Sequence, residues 1–296
     1  MEGFAASHID TGEASIFVRY GGTGPPLLLL HGFPQTHLMW RDVASRLARH
    51  FTVVCADLRG YGQSSCPPSS PDHGAYSKRA MARDAVAVME KLGFQKFSVA
   101  GHDRGGRVAY RLALDHPGRV HQVAVLDIVP TAEAWARADS RFALSFWPWS
   151  LLAQPEPLPE QLLMAAPEAI VDHAVNTWGT AGDTFPADIR AAYVSALRRP
   201  GHAHAICEEY RAACTLDRAH DQEDLNSGRK ISAPLLALWS ADGAVDSWYE
   251  EEGGPLALWR RWATDVRGLR MQGGHFFPEE HPEQTSEAME RFFAPR

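Results

Sequence analysis

The sequence predicts an α/β fold: a mostly parallel sheet flanked by helices and interrupted by one helical insertion. Three observations predict it. Short apolar runs of strand length recur at residues 15–20, 26–30, 51–56, 97–100, 120–126, 234–238 and 268–271, with helical patterns between them. Parallel strands need a crossover connection, so this alternation implies parallel pairing with helices on both faces. Over residues 131–228 the alternation stops, and a stretch rich in Ala, Trp, Arg and Pro reads as helices without strands. Finally, the run at 97–100 passes into Gly101-His102-Asp103-Arg104-Gly105-Gly106, a small-x-acid-x-small turn that opens a helix-like segment.

Each element has a local reason. Residues 15–20 open the sheet before a Gly-Gly-Thr-Gly turn at 21–24. Leu27-Leu28-Leu29-Leu30 is a fully apolar strand that ends in His31-Gly32-Phe33-Pro34. The strand at 51–56 leads into Asp57-Leu58-Arg59-Gly60-Tyr61-Gly62-Gln63-Ser64. Across 77–92, Met81, Ala85, Val88, Met89 and Leu92 recur near a 3.6-residue period, which predicts an amphipathic helix stopped by Gly93. In the insertion, Pro155, Pro157 and Pro159 break one helix before the pattern resumes at Glu160. Ser232-Ala233-Pro234 marks the return to the sheet, and Gly273-Gly274-His275 sets a histidine in a glycine loop before a last helix. Residues 1–130 and 229–296 are therefore expected to form one core, and residues 131–228 a helical cap.

Composition bounds the partners. The 296 residues carry a net charge of −7, which gives no general attraction to nucleic acid or to an anionic membrane. The N-terminus lacks a basic region followed by an apolar run, and no stretch reaches transmembrane length. Cys55, Cys66, Cys207 and Cys214 have neither zinc nor redox spacing, so reduced thiols and a cytoplasmic location are expected. His202, His204 and Glu208 look like metal ligands but read better as a polar helix start. His31 and His102 are expected to shape loops.

The order of strand with His-Gly loop, Asp-x-x-Gly-x-Gly-x-Ser, acid turn and late histidine resembles the α/β-hydrolases over nearly the whole chain. That resemblance implies an eight-stranded, mostly parallel sheet. It also makes the turn at 101–105 a nucleophile elbow, with Asp103 where a hydrolase commonly carries Ser. A carboxylate attacks sp3 carbon and forms an ester that water can cleave, so Asp103 points to dehalogenation or epoxide opening. His275 would activate the water. Backbone N–H groups of Phe33 and Arg104 would hold the oxyanion. An acid must orient His275, and both Asp127 and Asp242 stand at strand ends suited to that role. Arg104 and Arg107, three apart at a helix start, can share one face and grip a carboxylate. Arg111 continues the spacing and reads as an exposed helix residue. A carboxylate held beside a carbon under SN2 attack suggests a 2-haloacid.

Gly-His-Asp-Arg-Gly-Gly-Arg at 101–107, Leu-Asp-Ile-Val-Pro-Thr at 126–131, Leu-Ala-Gln-Pro at 152–155 and Gly-Gly-His-Phe-Phe-Pro-Glu-Glu at 273–280 narrow the resemblance to the haloacetate (fluoroacetate) dehalogenase family. It implies Asp103 as nucleophile, Arg104 and Arg107 on the substrate carboxylate, and Asp127 with His275 completing the triad. It further implies a homodimer that acts on a small carboxylate with no metal or organic cofactor. In that family a His-Trp pair and a Tyr of the cap hydrogen-bond the departing halide. Here Trp149 keeps the Trp, but Pro148 and Thr215 stand at the other two positions, and Trp178 resembles a channel residue. Proline offers no donor, so defluorination is expected to be poor. An epoxide hydrolase using the same Asp nucleophile and two cap tyrosines (Tyr193 and Tyr210) is the main alternative, and a non-catalytic carboxylate-binding protein a third.

Overall fold

The structure, a computed structural model, describes residues 1–179 and 184–294. Eight strands form one sheet: β1 (Ala5–Asp10), β2 (Ser15–Gly21), β3 (Pro26–Leu30), β4 (Thr52–Ala56), β5 (Phe97–His102), β6 (Val120–Leu126), β7 (Leu235–Ser240) and β8 (Val266–Met271). Their order is β1-β2-β4-β3-β5-β6-β7-β8. The pairs made by β2 are antiparallel, and the pairs from β4 to β8 are parallel. The seven expected strands are present. β1 is the addition: only Ile9 of its six residues is buried, so it carries no apolar run to betray it.

In chain order the helices are α1 (Arg41–Leu47), α2 (Lys78–Lys91), α3 (Arg104–Asp115), α4 (Thr131–Ala136), α5 (Ser140–Ser145), α6 (Trp147–Leu151), α7 (Leu158–Ala165), α8 (Pro167–Thr177), α9 (Ala187–Leu197), α10 (Pro200–Cys214), α11 (Leu216–Ser227), α12 (Ala244–Trp248), α13 (Gly254–Trp262), α14 (Phe277–Glu280) and α15 (Pro282–Phe293). Between β6 and β7 the described residues form helices α4 to α11 and no strand. No helix among the described residues is long and apolar enough to cross a membrane.

The central strands are buried on both faces, which is why they read as unbroken apolar runs rather than alternating ones. Leu28, Leu30, Val54 and Val99 pack with Met81, Val88, Val108 and Leu112 of α2 and α3. Leu27, Leu29, Val53 and Ala100 point the other way, onto Val43 and Leu47 of α1 and Met289 and Phe293 of α15. This two-residue periodicity gives each strand one foot in each apolar layer.

Among the described residues, three buried polar clusters join α9–α11 to the sheet layer. Glu209 of α10 meets Arg104, Lys78 and Tyr61. Asp221 and Asp224 of α11 meet Arg111 at 2.6 and 2.5 Å, and Tyr110 donates to Asp221 at 2.8 Å. Tyr193 of α9 donates to Glu279 at 3.0 Å, where Gln35 and Arg41 also bond. Arg111 is thus not the exposed residue its spacing suggests. It is 1% exposed, because the acids of α11 cover it. A guanidinium is buried at tolerable cost only when anions answer it with good geometry.

Candidate active site

The acid turn joins the end of β5 to the start of α3, so it projects at the carboxyl edge of the sheet. Asp103 has φ +46 and ψ −115, a conformation that L-residues avoid at a cost of about 1–3 kcal/mol. The surrounding glycines make the strain possible. A side chain at Gly101 would overlap the Gly105 carbonyl, and one at Gly105 would overlap the carbonyls of Leu30 and His31. The strand, the turn and the helix can therefore close on each other only with hydrogen at these positions.

The Phe33 N–H donates to Asp103 Oδ1 at 2.9 Å. Among the described residues no donor bonds Oδ2, so that oxygen is left to act. Burial pushes the Asp103 carboxyl up, but His275, Arg104, His102 and Arg107 outweigh it and hold the group below the usual carboxylate range. Asp103 is therefore ionised throughout neutral pH.

His275 Nδ1 lies 2.6 Å from Asp127 Oδ2. The other oxygen of Asp127 accepts the Ser240 N–H at 3.0 Å. Bonded to a carboxylate, Nδ1 carries the proton and Nε2 keeps its lone pair. Burial would lower the His275 pKa, yet the bond and charge of Asp127, followed by the charge of Asp103, raise it above the ordinary 6.5. The His102 ring nitrogen Nε2 bonds the His275 carbonyl at 2.8 Å, while burial drives the His102 pKa down to about 3. His31 Nε2 accepts the Leu58 N–H at 3.0 Å. Both of these histidines hold loops. Asp242, the alternative partner for His275, is exposed at the cavity, and its N–H bonds Ser240 Oγ instead. The structure brings Asp127 to His275, not Asp242.

Arg104 and Arg107 are buried at 0% and 2% exposure. Arg104 Nε donates to Glu209 Oε1 at 2.7 Å, and its guanidinium packs on the rings of Tyr210 at 4.1 Å and Trp149 at 5.1 Å. Arg107 donates to the Val129 carbonyl at 2.8 Å and packs on Trp149 at 4.3 Å. Arg104 Nη1 and Arg107 Nε have no hydrogen-bond partner among the described residues. Burial, followed by the charge of Arg104, pushes the Arg107 pKa down, as befits a cation whose charge is incompletely answered. The two arginines do not form the cavity surface. They sit against the rings that do, since a desolvated guanidinium gains by stacking on an aromatic face.

The cavity above Asp103 measures about 410 Å³ and includes Phe33, Asp127, His275, Trp178 and Tyr210 in its wall. Pro148 and Trp149 also face it. Thr215 does not: it is exposed just past the end of α10, and its hydroxyl donates to the Arg211 carbonyl at 2.7 Å. Tyr210 faces the cavity instead. Five residues along a helix is a turn of about 140° beyond one full circuit, which separates Tyr210 from Thr215 by geometry alone. The two cap tyrosines do not converge, because Tyr193 is bound to Glu279. The His202, His204 and Glu208 side chains go to separate partners: the Gly62 carbonyl, Ser69 and Arg211.

Glu209 is the functional-site residue that sequence reasoning missed. Its signal was indirect: a buried arginine must have an acid, and Glu208-Glu209 is an acidic pair in α10.

The alpha/beta hydrolase fold model matches residues 25–168. The chain is 42% identical to fluoroacetate dehalogenase from Burkholderia sp, over 99% of this chain and 95% of that protein. It is 30% identical to soluble epoxide hydrolase from Corynebacterium sp. (strain C12), over 93% and 92% of the two chains. The crystal structure of ALR0039 from Nostoc sp PCC 7120 superposes with a TM-score of 0.95 at 47% identity, covering 99% of each chain.

Proposed function

Because this chain belongs to the haloacetate dehalogenase-like family of the α/β hydrolases, we propose that it is a dehalogenase of small 2-haloacids acting through an aspartyl ester. In the first step Asp103 Oδ2 attacks the α-carbon, the carbon–halogen bond breaks, and halide leaves with the electron pair. His275 Nε2 then takes a proton from water, and the hydroxide attacks the Asp103 carbonyl carbon. Oδ1 becomes the oxyanion, held by the N–H groups of Phe33 and Arg104. On collapse the bond between the carbonyl carbon and Oδ2 breaks, and the His275 imidazolium returns its proton to the departing alkoxide to give the 2-hydroxyacid. Asp103 is left as its carboxylate, with the second proton of the water passing to solvent. Asp127 stabilises the imidazolium formed on the way.

One observation carries this reading: two buried guanidiniums with unanswered N–H groups adjoin an ionised carboxylate on a strained elbow. The substrate carboxylate would take those N–H groups, with the Trp149 ring giving way to admit it. A second reading, epoxide hydrolysis, draws support from the Tyr210 hydroxyl, which lies in the cavity wall without a hydrogen-bond partner among the described residues. Hydration of styrene oxide without halide release from any acid would decide for it.

The test is halide release from fluoroacetate, chloroacetate, bromoacetate and 2-chloropropionate, followed by a single turnover in heavy-oxygen water. Chloride and bromide should appear, and Asp103→Asn should release neither. The label should enter Asp103, not the first product; label in that product would mean direct attack by water and would sink the ester mechanism. Fluoride needs strong donors, each worth roughly 1.5–3 kcal/mol when charged, and Pro148 offers none. Fluoride release should therefore lag far behind chloride release, and Pro148→His should raise the fluoride-to-chloride ratio. An unchanged ratio in a folded variant would refute the donor argument.

A further inference from the structure

Building on the dehalogenase reading, we infer that the preferred substrate is a 2-haloacid with an apolar group on its α-carbon, not a haloacetate. The cavity measures about 410 Å³. A haloacetate has five heavy atoms; even at the roughly 30 Å³ that each water occupies in the liquid, these fill about 150 Å³. The cavity wall includes Leu144, Phe146, Pro148 and Val245, contributed by α5, α6, α12 and the α5–α6 junction, beside the polar Ser145, His173, Thr177 and Asp242. None of the first four has a polar side-chain atom. Leu144 is 80% exposed, an apolar side chain kept in water at the rim of this same cavity. Proline at 148 extends the apolar wall to the position from which the family resemblance expects a histidine donor. Water lying against these four apolar side chains gains no hydrogen bond from them, whereas a hydrocarbon group packed there releases it.

The two parts of the substrate have separate receptors. The carboxylate goes to the unanswered N–H groups of Arg104 and Arg107. The substituent goes to the apolar wall, and together they fix the α-carbon against Asp103 Oδ2. The chemistry balances as for the smaller acid. The carbon–halogen bond breaks as the Oδ2–carbon bond forms; one water is then consumed, one of its protons passing through His275 to the departing alkoxide and the other to solvent, and a 2-hydroxyacid is released. Because the ester is cleaved at the Asp103 carbonyl, the α-carbon is inverted once. Each methylene received by the apolar wall should raise kcat/KM about fourfold.

The experiment compares 2-chloro-2-phenylacetate with chloroacetate in the wild type, Val245→Phe and Leu144→Ala. Taking the ratio across variants cancels the different intrinsic reactivity of the two carbons. The phenyl acid should exceed chloroacetate in kcat/KM by at least about tenfold, the scale on which an apolar pocket discriminates. Both variants should lower that ratio, Val245→Phe by filling the space and Leu144→Ala by removing part of its rim. Leu144 is exposed, so its replacement tests the wall even if the Phe variant fails to fold. A ratio favouring chloroacetate and indifferent to both substitutions would overturn the inference. If neither acid releases halide, calorimetry with acetate and phenylacetate separates the two claims. Phenylacetate bound at least about tenfold tighter keeps the apolar acid and removes dehalogenation; equal affinities remove both.

Discussion

Replacing His275 by Gln is expected to let the protein release one equivalent of halide and then stall with Asp103 alkylated. The first step needs only an ionised Asp103, which the surrounding cations secure, and a carboxylate oxygen free of hydrogen bonds. The second step needs a base, and Gln cannot take a proton from water. Loss of a positioned base slows the step it serves by about 10²–10⁴. Rapid-quench halide measurement should show a burst equal to the enzyme concentration. Intact-protein mass spectrometry after chloroacetate should find the chain heavier by one carboxymethyl group. A variant that shows no burst, or steady turnover with no adduct, would contradict the assignment of His275 to ester hydrolysis.

The same division sets the pH dependence. In the proposed mechanism His275 works as a neutral base, and Asp127 with Asp103 raises its pKa above 6.5. Steady-state turnover should fall as pH drops through that raised value, because protonated His275 cannot activate water. The burst in single-turnover experiments should persist to lower pH, since Asp103 stays ionised below the usual carboxylate range.

Glu209→Gln should cause the largest loss of stability. The carboxylate is fully buried and shared by Arg104 at 2.7 Å, by Lys78 and by the Tyr61 hydroxyl at 2.9 Å. Neutralising it leaves two buried cations short of an anion, a change that costs about 3–5 kcal/mol. In a chain of this size that is a fall in melting temperature of about 10 °C, measurable by calorimetry. Burial pushes the Glu209 pKa up, but Arg104 and Lys78 bring it below 4.5. A lowered folded-state pKa gives stability that is complete above pH 4.5 and lost as pH falls through the folded value. The gap between wild type and variant should therefore close in acid. Because Glu209 also holds one edge of Arg104, kcat/KM for a haloacid should fall more than kcat/KM for the matching haloacetamide. Equal melting temperatures would show that the cluster contributes no net stability.

The sequence was most legible where a single local rule applied. Asp103 was visible because only glycines can flank a turn so tight, and the central strands because burial on both faces leaves an unbroken apolar run. What it hid were relations across long separations. Glu209 lies 105 residues from Arg104, and no local pattern links them. Arg111 looked like a solvated helix position because the acids that cover it arrive 110 and 113 residues later. Thr215 was assigned to the cavity by alignment of motifs, but the end of α10 turns it outward and leaves Tyr210 inside. β1 was missed because an edge strand with one buried residue has no apolar period.

The buried charge clusters reach the sheet layer from α9–α11, while the helical residues facing the cavity come from α5, α6, α8 and α12, with Tyr210 the exception. Durability and selectivity are thus written in two nearly separate sets of residues. A lineage, or an engineer, can rewrite Leu144, Phe146, Pro148 or Val245 without touching the ion pairs that keep the insertion docked. New substrates can be sampled along one wall while the opposite wall keeps the catalyst assembled. Tyr210 and Trp149, which face the cavity and also stack on Arg104, are the points where a change must satisfy both demands.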